Sequence, residues 1–473
     1  MSTLGVLERI ERVPPWGIEP VPEDRRVFGG LDLGVLWGNL GISLLLPVVG
    51  ALLVPALSFR EALVAIVVGA LIGNLMLATA ARIGADTGVP TMTLYRAPLG
   101  IRGSYVPTIF NILQNIGWGS FELFIIAAAA AAVSERMIGV GARPVWVILF
   151  GVISVVMAAG GPVAVVRQWI RRFAVWAVIA SSAYITWYML SNFEISAFWS
   201  STGEGGWPNF WQAVDLSVAL PISWIPLVAD YSRFARKSGA AFWGAGLGYF
   251  IAHVWFYSIG VLLVLGRDGD PANPEAFIGT MLAIPVGFVA LLILLVDETD
   301  EAFANMYSTA VSMQNIAPRA SQRLLVLMVG AICTALALVV NLVQYENFLL
   351  LLGALFVPLF GVLTADYYLL SGGRYDVGAL YRRDGAYWYA GGVNWALVAA
   401  WAMGFLTYNW INPGTVSWWS EWMRGLLGDW LRLPTASSWL GASLTSFAVA
   451  AAATVVFGVV AKGSPHARRF GVG

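Results

Sequence analysis

Charge is scarce in this chain. Only 11% of its 473 residues are Asp, Glu, Lys or Arg, against roughly 25% in ordinary soluble domains. Basic and acidic residues balance at 27 each. No long run of either sign is present to grip nucleic acid. There is one cysteine, Cys333, and there are two histidines. That excludes an intrachain disulfide and a Cys/His metal centre. Cys333 lies in an apolar run and reads as a small buried hydrophobe. The first 30 residues are polar and Pro-rich and lack a basic-then-apolar cleavable signal, so a cytoplasmic lead-in over 1–30 is expected. His253 stands alone in an apolar stretch and reads as a packed side chain.

What remains is apolar. Hydrophobic residues make up 59% of the chain, and the mean hydropathy is +0.74. The expected fold is an all-α polytopic membrane protein in the lipid bilayer of a cell membrane. A spanning helix needs about 20 apolar residues. Twelve stretches qualify: 31–57, 61–83, 105–133, 144–165, 172–192, 212–230, 241–265, 285–312, 323–342, 346–370, 391–412 and 437–461. Residues 272–284 read as a short helix over one face. The Trp-rich segment 415–433 reads as interfacial, where indoles sit at headgroup level. Twenty-one of the 27 Lys and Arg residues fall on the side of the N-terminus. Arg60, Arg136, Arg143, Arg267, Arg424 and Arg432 fall on the other. That asymmetry puts both termini in the cytoplasm.

Two spans read as broken. Span 1, "WGNLGISLLLPVVG", places Gly38, Asn39, Gly41 and Ser43 near its middle. Span 6, "DLSVALPISWIPLVADYSR", holds Pro221 and Pro226, and each proline removes a backbone donor. Broken helices five spans apart point to a transporter's midplane site. Asp230 and Arg233 read as anchors of the cytoplasmic end of span 6, with Asp366 similar at the end of span 10.

Two other spans carry polar stripes. In span 3, Asn111, Gln114 or Asn115, Trp118 and Glu122 share one helix face. An indole and a carboxylate one turn apart suit a flat heterocycle, which stacks on the ring and donates to the acid. Span 8 reads "LLILLVDETDEAFANMYS". Its acids lie roughly 20 Å along the helix at 1.5 Å per residue, too deep to reach the surface. Each ionised carboxylate at that depth costs about 2.5 kcal/mol or more. One stripe holds Glu298, Glu301, Asn305 and Ser312, the other Asp297, Asp300 and Ser308, and Thr299 borders both. Oxygen ligands without nearby Lys or Arg suit Na⁺ or a proton.

At these residues the chain resembles the nucleobase–cation symporters, the family of cytosine, allantoin, uracil and hydantoin permeases. The resemblance rests on "GIEPVPEDRRVFGGLDLGVLWGN", "LQNIGWGSFE", "SWIPLVADYSR" and "ETDEAFANMYSTAVSMQN", and is nearest to cytosine-permease-like and hydroxymethylpyrimidine transporters. It implies twelve spans, ten of them a five-plus-five inverted repeat (31–192 and 212–370) with discontinuous helices 1 and 6. Two C-terminal spans (391–461) and a cytoplasmic tail (462–473) follow. It implies cation-coupled alternating access, with no cofactor beyond Na⁺ or H⁺, and a monomer. Trp118 would stack on substrate and Glu122 and Asn305 would hydrogen-bond to it, with Asn39, Gln114, Pro221 and Trp224 around them. Leu40 and Ser43 of span 1 would face Thr299 and Asp300 at the cation site. Relatives carry an aromatic at the position of Pro221, and a Ser/Thr pair where Thr299 and Asp300 stand. Glu122 replaces an amide of hydantoin-type relatives, which favours substrates with an amino group beside a ring nitrogen. A cation-coupled amino-acid carrier of the same fold is the alternative. An intramembrane aspartyl protease lacks its Gly-x-Gly-Asp context here.

Overall fold

Long apolar runs bounded by capping residues become long helices. Ser58 opens one by accepting from the Glu61 N–H at 3.3 Å, while Glu61 Oε2 accepts from the Ser58 N–H at 2.9 Å. Gly88, at φ +70°, closes that helix in the left-handed region. The structure, a computed structural model, describes residues 17–166, 175–267, 274–339 and 345–463. The expected tail from residue 464, the lead-in before residue 17 and the start of span 5 lie outside the described residues. Among those described, regular structure is helical, and β-pairing is confined to isolated bridges.

The helices are α1 (Gly30–Asn39), α2 (Leu45–Ala51), α3 (Phe59–Thr87), α4 (Tyr105–Ile138), α5 (Arg143–Gly160), α6 (Val175–Asn192), α7 (Phe210–Ser232) and α8 (Ser238–Arg267). They continue with α9 (Pro274–Ala283), α10 (Gly287–Ile316), α11 (Gln322–Ala337), α12 (Tyr345–Thr364), α13 (Trp395–Ile411), α14 (Ser417–Arg424) and α15 (Ala442–Gly463). Seven among the described residues are long and apolar enough to cross a membrane: α3, α4, α5, α7, α8, α12 and α15. α10 has the length, but its apolar run is interrupted by the four acids. The expected break in span 1 is present, with a turn over residues 40–44 separating α1 from α2. The short helix over 272–284 is α9. The Trp-rich segment contains α14, whose Trp418 and Trp422 are exposed.

One expectation is corrected. Span 6 is not discontinuous, because α7 runs unbroken through Pro221 and Pro226. Its neighbours brace it on both sides of the prolines. Gln114 Nε2 donates to the Ser223 carbonyl at 3.0 Å, and Asn111 Nδ2 to the Pro226 carbonyl at 3.3 Å. Thr91 Oγ1 accepts the Ala229 N–H at 2.9 Å. Membrane helices keep proline where packed neighbours hold them in place.

α7 is central, with 94% of its most apolar stretch buried inside the protein. It packs against α3, while α10 packs against α4 and α8 against α1, α2 and α3. Small residues permit these approaches. A Cβ placed on Gly260 of α8 would sit 1.9 Å from the Pro47 carbonyl oxygen of α2. Gly260→Val should therefore force α2 and α8 apart and destabilise the protein by about 1–3 kcal/mol. Its thermal midpoint in detergent should fall, whereas Gly239→Ala, with nothing within 4 Å of its added Cβ, should not move it. Equal midpoints for both would reject this packing.

Candidate functional site

The turn between α1 and α2 strands backbone amides in a dry interior, where unpaired groups are costly. Glu298 of α10 answers them. Its Oε1 accepts from Ser43 Oγ at 2.7 Å and from the Leu44 N–H at 3.1 Å, and its Oε2 lies 3.2 Å from the same N–H. Ser43 Oγ in turn accepts from the Leu45 N–H at 3.1 Å. The carboxylate thus closes the start of α2, where helix amides favour negative charge. Glu298 was part of a stripe in the sequence, but this bond had no signal there, since its partner lies 255 residues away.

One turn along α10, Glu301 joins Glu298 and Glu122 of α4. One oxygen from each lies within 4.8 Å of the other two, and all three residues are buried. This trio is the arrangement among the described residues that could hold a cation. Carboxylates so close in a dry site need a proton or a cation between them. On the adjoining face of α10, Asp300 Oδ2 accepts from Asn39 Nδ2 at 3.3 Å. Asn39 thus contacts an acid of span 8. Thr299 is buried beside these acids, and Leu40 is buried at the end of α1.

A cavity with about 290 Å³ of empty space opens between α2, α4, α7, α8 and α10. Trp118, Glu122, Ser43, Trp224, Glu301 and Asn305 line it, together with Leu45, Leu46, Leu220, Ser223 and Tyr249. Trp118 meets Phe348 edge-on, with ring centroids 5.3 Å apart. Trp224 donates its indole N–H to Tyr249 Oη at 2.9 Å and meets Trp37 edge-on at 5.8 Å. Both indoles are thus held by neighbouring rings. Asn305 is fixed by donating to the Glu301 carbonyl at 3.1 Å.

Three predicted contacts are placed elsewhere. Asn39, expected around the substrate, meets Asp300 and is not among the lining residues. Gln114 spends its amide donor on Asn111 Oδ1 and the Ser223 carbonyl, and it does not line the cavity. Pro221 faces α3, where a Cβ on Gly73 would lie 2.4 Å from its ring. Tyr249 and Glu301 line the cavity although neither was singled out for substrate. Tyr249 sits in an unremarkable apolar span, whereas the α10 stripe did point to Glu301. His253 is buried between Tyr249 and Tyr257, with Asn74 Nδ2 3.4 Å from its Nδ1. Asp230 accepts the Thr91 N–H at 3.1 Å, and Arg233 donates to Tyr307 Oη at 3.0 Å and to the Gly17 carbonyl at 2.7 Å. These bonds tie the end of α7 to its surroundings.

The model of the family described as permease for cytosine/purines, uracil, thiamine, allantoin matches residues 20–430. The chain belongs to this permease family. It is a multi-pass membrane transporter and not an enzyme. The permease is 25% identical over 449 residues to the hydantoin permease of Microbacterium maritypicum, covering 91% of this chain and 90% of that protein. It is 26% identical over 374 residues to the cytosine permease of Escherichia coli K12, covering 78% and 82%. Its fold is similar to that of Mhp1, a nucleobase-cation-symport-1 family transporter solved closed with bromovinylhydantoin bound. The TM-score there is 0.78 at 21% identity, covering 95% of this chain and 96% of that one.

The cap on α2 offers a direct test of the site's construction. Glu298→Gln puts a donor amide where the carboxyl accepts from Ser43 and Leu44, and leaving a buried polar group unpaired costs roughly 1–3 kcal/mol. The permease variant should lose thermal stability by that order. Uptake of whichever heterocycle the wild type carries should drop about tenfold, as such an energy implies. Wild-type stability and uptake in this variant would remove Glu298 from the role.

Proposed function

We propose that the permease is a secondary active symporter that carries a pyrimidine-type nucleobase or related heterocycle, cytosine- or hydroxymethylpyrimidine-like, with Na⁺ or H⁺. The carrying observation is the cavity beside the α1–α2 break, where Trp118 and Glu122 face Trp224, Glu301 and Asn305. An indole wall accepts a flat ring face. Carboxylate and amide side chains meet ring N–H and amino groups. The names of the hydantoin and cytosine permease relatives agree with a ligand of this polarity. An amino-acid carrier would need a positive group for the substrate carboxylate, and among the described residues no basic side chain lines the cavity.

In this reading the twelve spans form two inverted five-helix repeats, 31–192 and 212–370, with 391–461 outside them. Both termini are cytoplasmic and one chain suffices. The coupling ion enters where Asp300 meets Asn39, with Thr299, Ser43 and the Leu40 end of α1 around it. The Asn39–Asp300 contact supports that placement. Ion binding between α1 and α10 would favour the outward-open state, and closure around the substrate would release both inward.

The test is a binding and uptake screen of cytosine, hydroxymethylpyrimidine, uracil and hydantoin, with and without Na⁺ and with an imposed proton gradient. Cytosine or hydroxymethylpyrimidine should bind best, and one of the two ions should drive uptake. Binding of none of the four, or uptake indifferent to both ions, would reject the reading. Asp300→Asn should then shift the half-saturating ion concentration by about tenfold or more, the scale of a lost charge contact of about 1.4 kcal/mol. An unchanged ion dependence in this variant would take Asp300 out of the coupling site.

A further inference from the structure

The three clustered carboxylates are not equivalent. Both oxygens of Glu298 are committed to Ser43 and to the Leu44 N–H. Glu122 Oε2 and Glu301 Oε1 are buried and have no hydrogen-bond partner. Their residues are 1% and 4% exposed, and both line the cavity. Among the described residues the lining contains no Lys, Arg or His. The ion pairs Arg25–Asp24 and Arg82–Asp86 involve none of these groups. An electronegative pair therefore faces a small space walled by Trp118, Trp224 and Tyr249.

A neutral heterocycle would leave that negative field uncompensated unless protons stayed on both acids. An amidinium edge, in which two N–H groups flank one carbon and share a positive charge, meets it in three ways. Its parallel N–H groups match a carboxylate in the bidentate geometry that strengthens charged hydrogen bonds. Its charge compensates the second acid. Its cationic face is attracted to indole rings, an attraction that grows on desolvation. A bare divalent ion fits less well. Ca²⁺ takes about six to eight oxygen ligands, and the walls beyond the acids are mostly indole, phenol and leucine.

We propose that the permease selects heterocycles carrying a positive charge on an amidine-type N–C–N edge, held between Glu122 and Glu301. This deepens the transport reading above and rests on it. Cytosine-like rings offer the edge in neutral form, and the pair would favour the charged form or a permanently cationic relative. Glu122 projects from α4 and Glu301 from α10, so such a ligand would also bridge the two helices. A neutral ligand would have to do so through a shared proton.

Benzamidine and benzamide test the charge directly. They share an aromatic ring and nearly the same shape, and only benzamidine is cationic at neutral pH. With purified full-length permease in detergent, benzamidine should bind at least about tenfold more tightly than benzamide, a factor that one charged contact supplies. Glu122→Gln and Glu301→Gln should each erase that preference and leave benzamide binding equal or tighter. The wild-type comparison stands even where a variant does not fold. Benzamide binding as tightly as benzamidine, or absence of benzamidine binding, overturns the proposal. So does stabilisation by Mn²⁺ or Ca²⁺ that Glu122→Gln abolishes while benzamidine has no effect, because it assigns the acids to a metal ion. Binding of neutral cytosine or hydantoin without benzamidine leaves the transport reading standing and rejects only the charge. Binding of no heterocycle at all rejects both.

Discussion

The contact between Glu298 and the interrupted first helix organises this molecule. Breaking α1 from α2 leaves amides without partners in an interior that water does not reach, and each such amide is costly. A carboxylate from α10 accepts from Ser43 and Leu44 and closes the gap. The bond explains both unusual features of the sequence together. The Gly/Asn/Ser interruption of span 1 needs an anion, and the acid in span 8 needs donors. Each is tolerable because the other is there. Once Glu298 is fixed, Glu301 is carried one turn along α10 toward Glu122 of α4, and the cavity takes its shape between them.

The second constraint has the same origin. α7 runs unbroken through Pro221 and Pro226, and α4 braces it through Asn111 and Gln114, which donate to the Pro226 and Ser223 carbonyls. Asn111 also donates to Ser312 Oγ of α10 at 2.8 Å. One face of α4 therefore holds α7 and α10 in register, while Trp118 and Glu122, farther along the same helix, face the cavity. Structural and functional side chains share the stripe. The residues along α4 divide accordingly into those that hold partner helices and those that line the cavity.

Much of this was legible in the chain. The low charge and apolar runs announced a polytopic membrane protein. The three- and four-residue spacing placed Trp118 and Glu122 on one face, and both line the cavity. The Gly-rich middle of span 1 marked a real interruption. What failed was what depends on remote partners. Proline in span 6 signals a break, but the side chains that brace the helix there come from positions 109 and 115 residues away. Gln114 sits on the predicted stripe and yet spends its amide on α7. Pro221 points at Gly73 of α3, a contact that no local pattern encodes. The two halves of the Glu298 cap are likewise separated by more than half the chain.

The arrangement of acids along α10 bears on how an ion and a substrate would be kept apart. Successive residues on an α-helix point about 100° away from each other. Asp300 therefore turns toward Asn39 of α1 while Glu301, its neighbour in sequence, turns into the cavity. In the proposed cycle an ion at the first site and a ligand at the second would share Ser43 but no acid. They would still lie in one negative field, within a few ångströms of low-dielectric protein that screens poorly. Neutralising either acid then makes the other easier to leave ionised, and it also relaxes repulsion against Glu298, which holds the broken helix. Coupling between ion and substrate needs no mechanical relay in such a geometry. It follows from where one helix places adjacent carboxylates, and its strength is set by how completely each ligand compensates their charge.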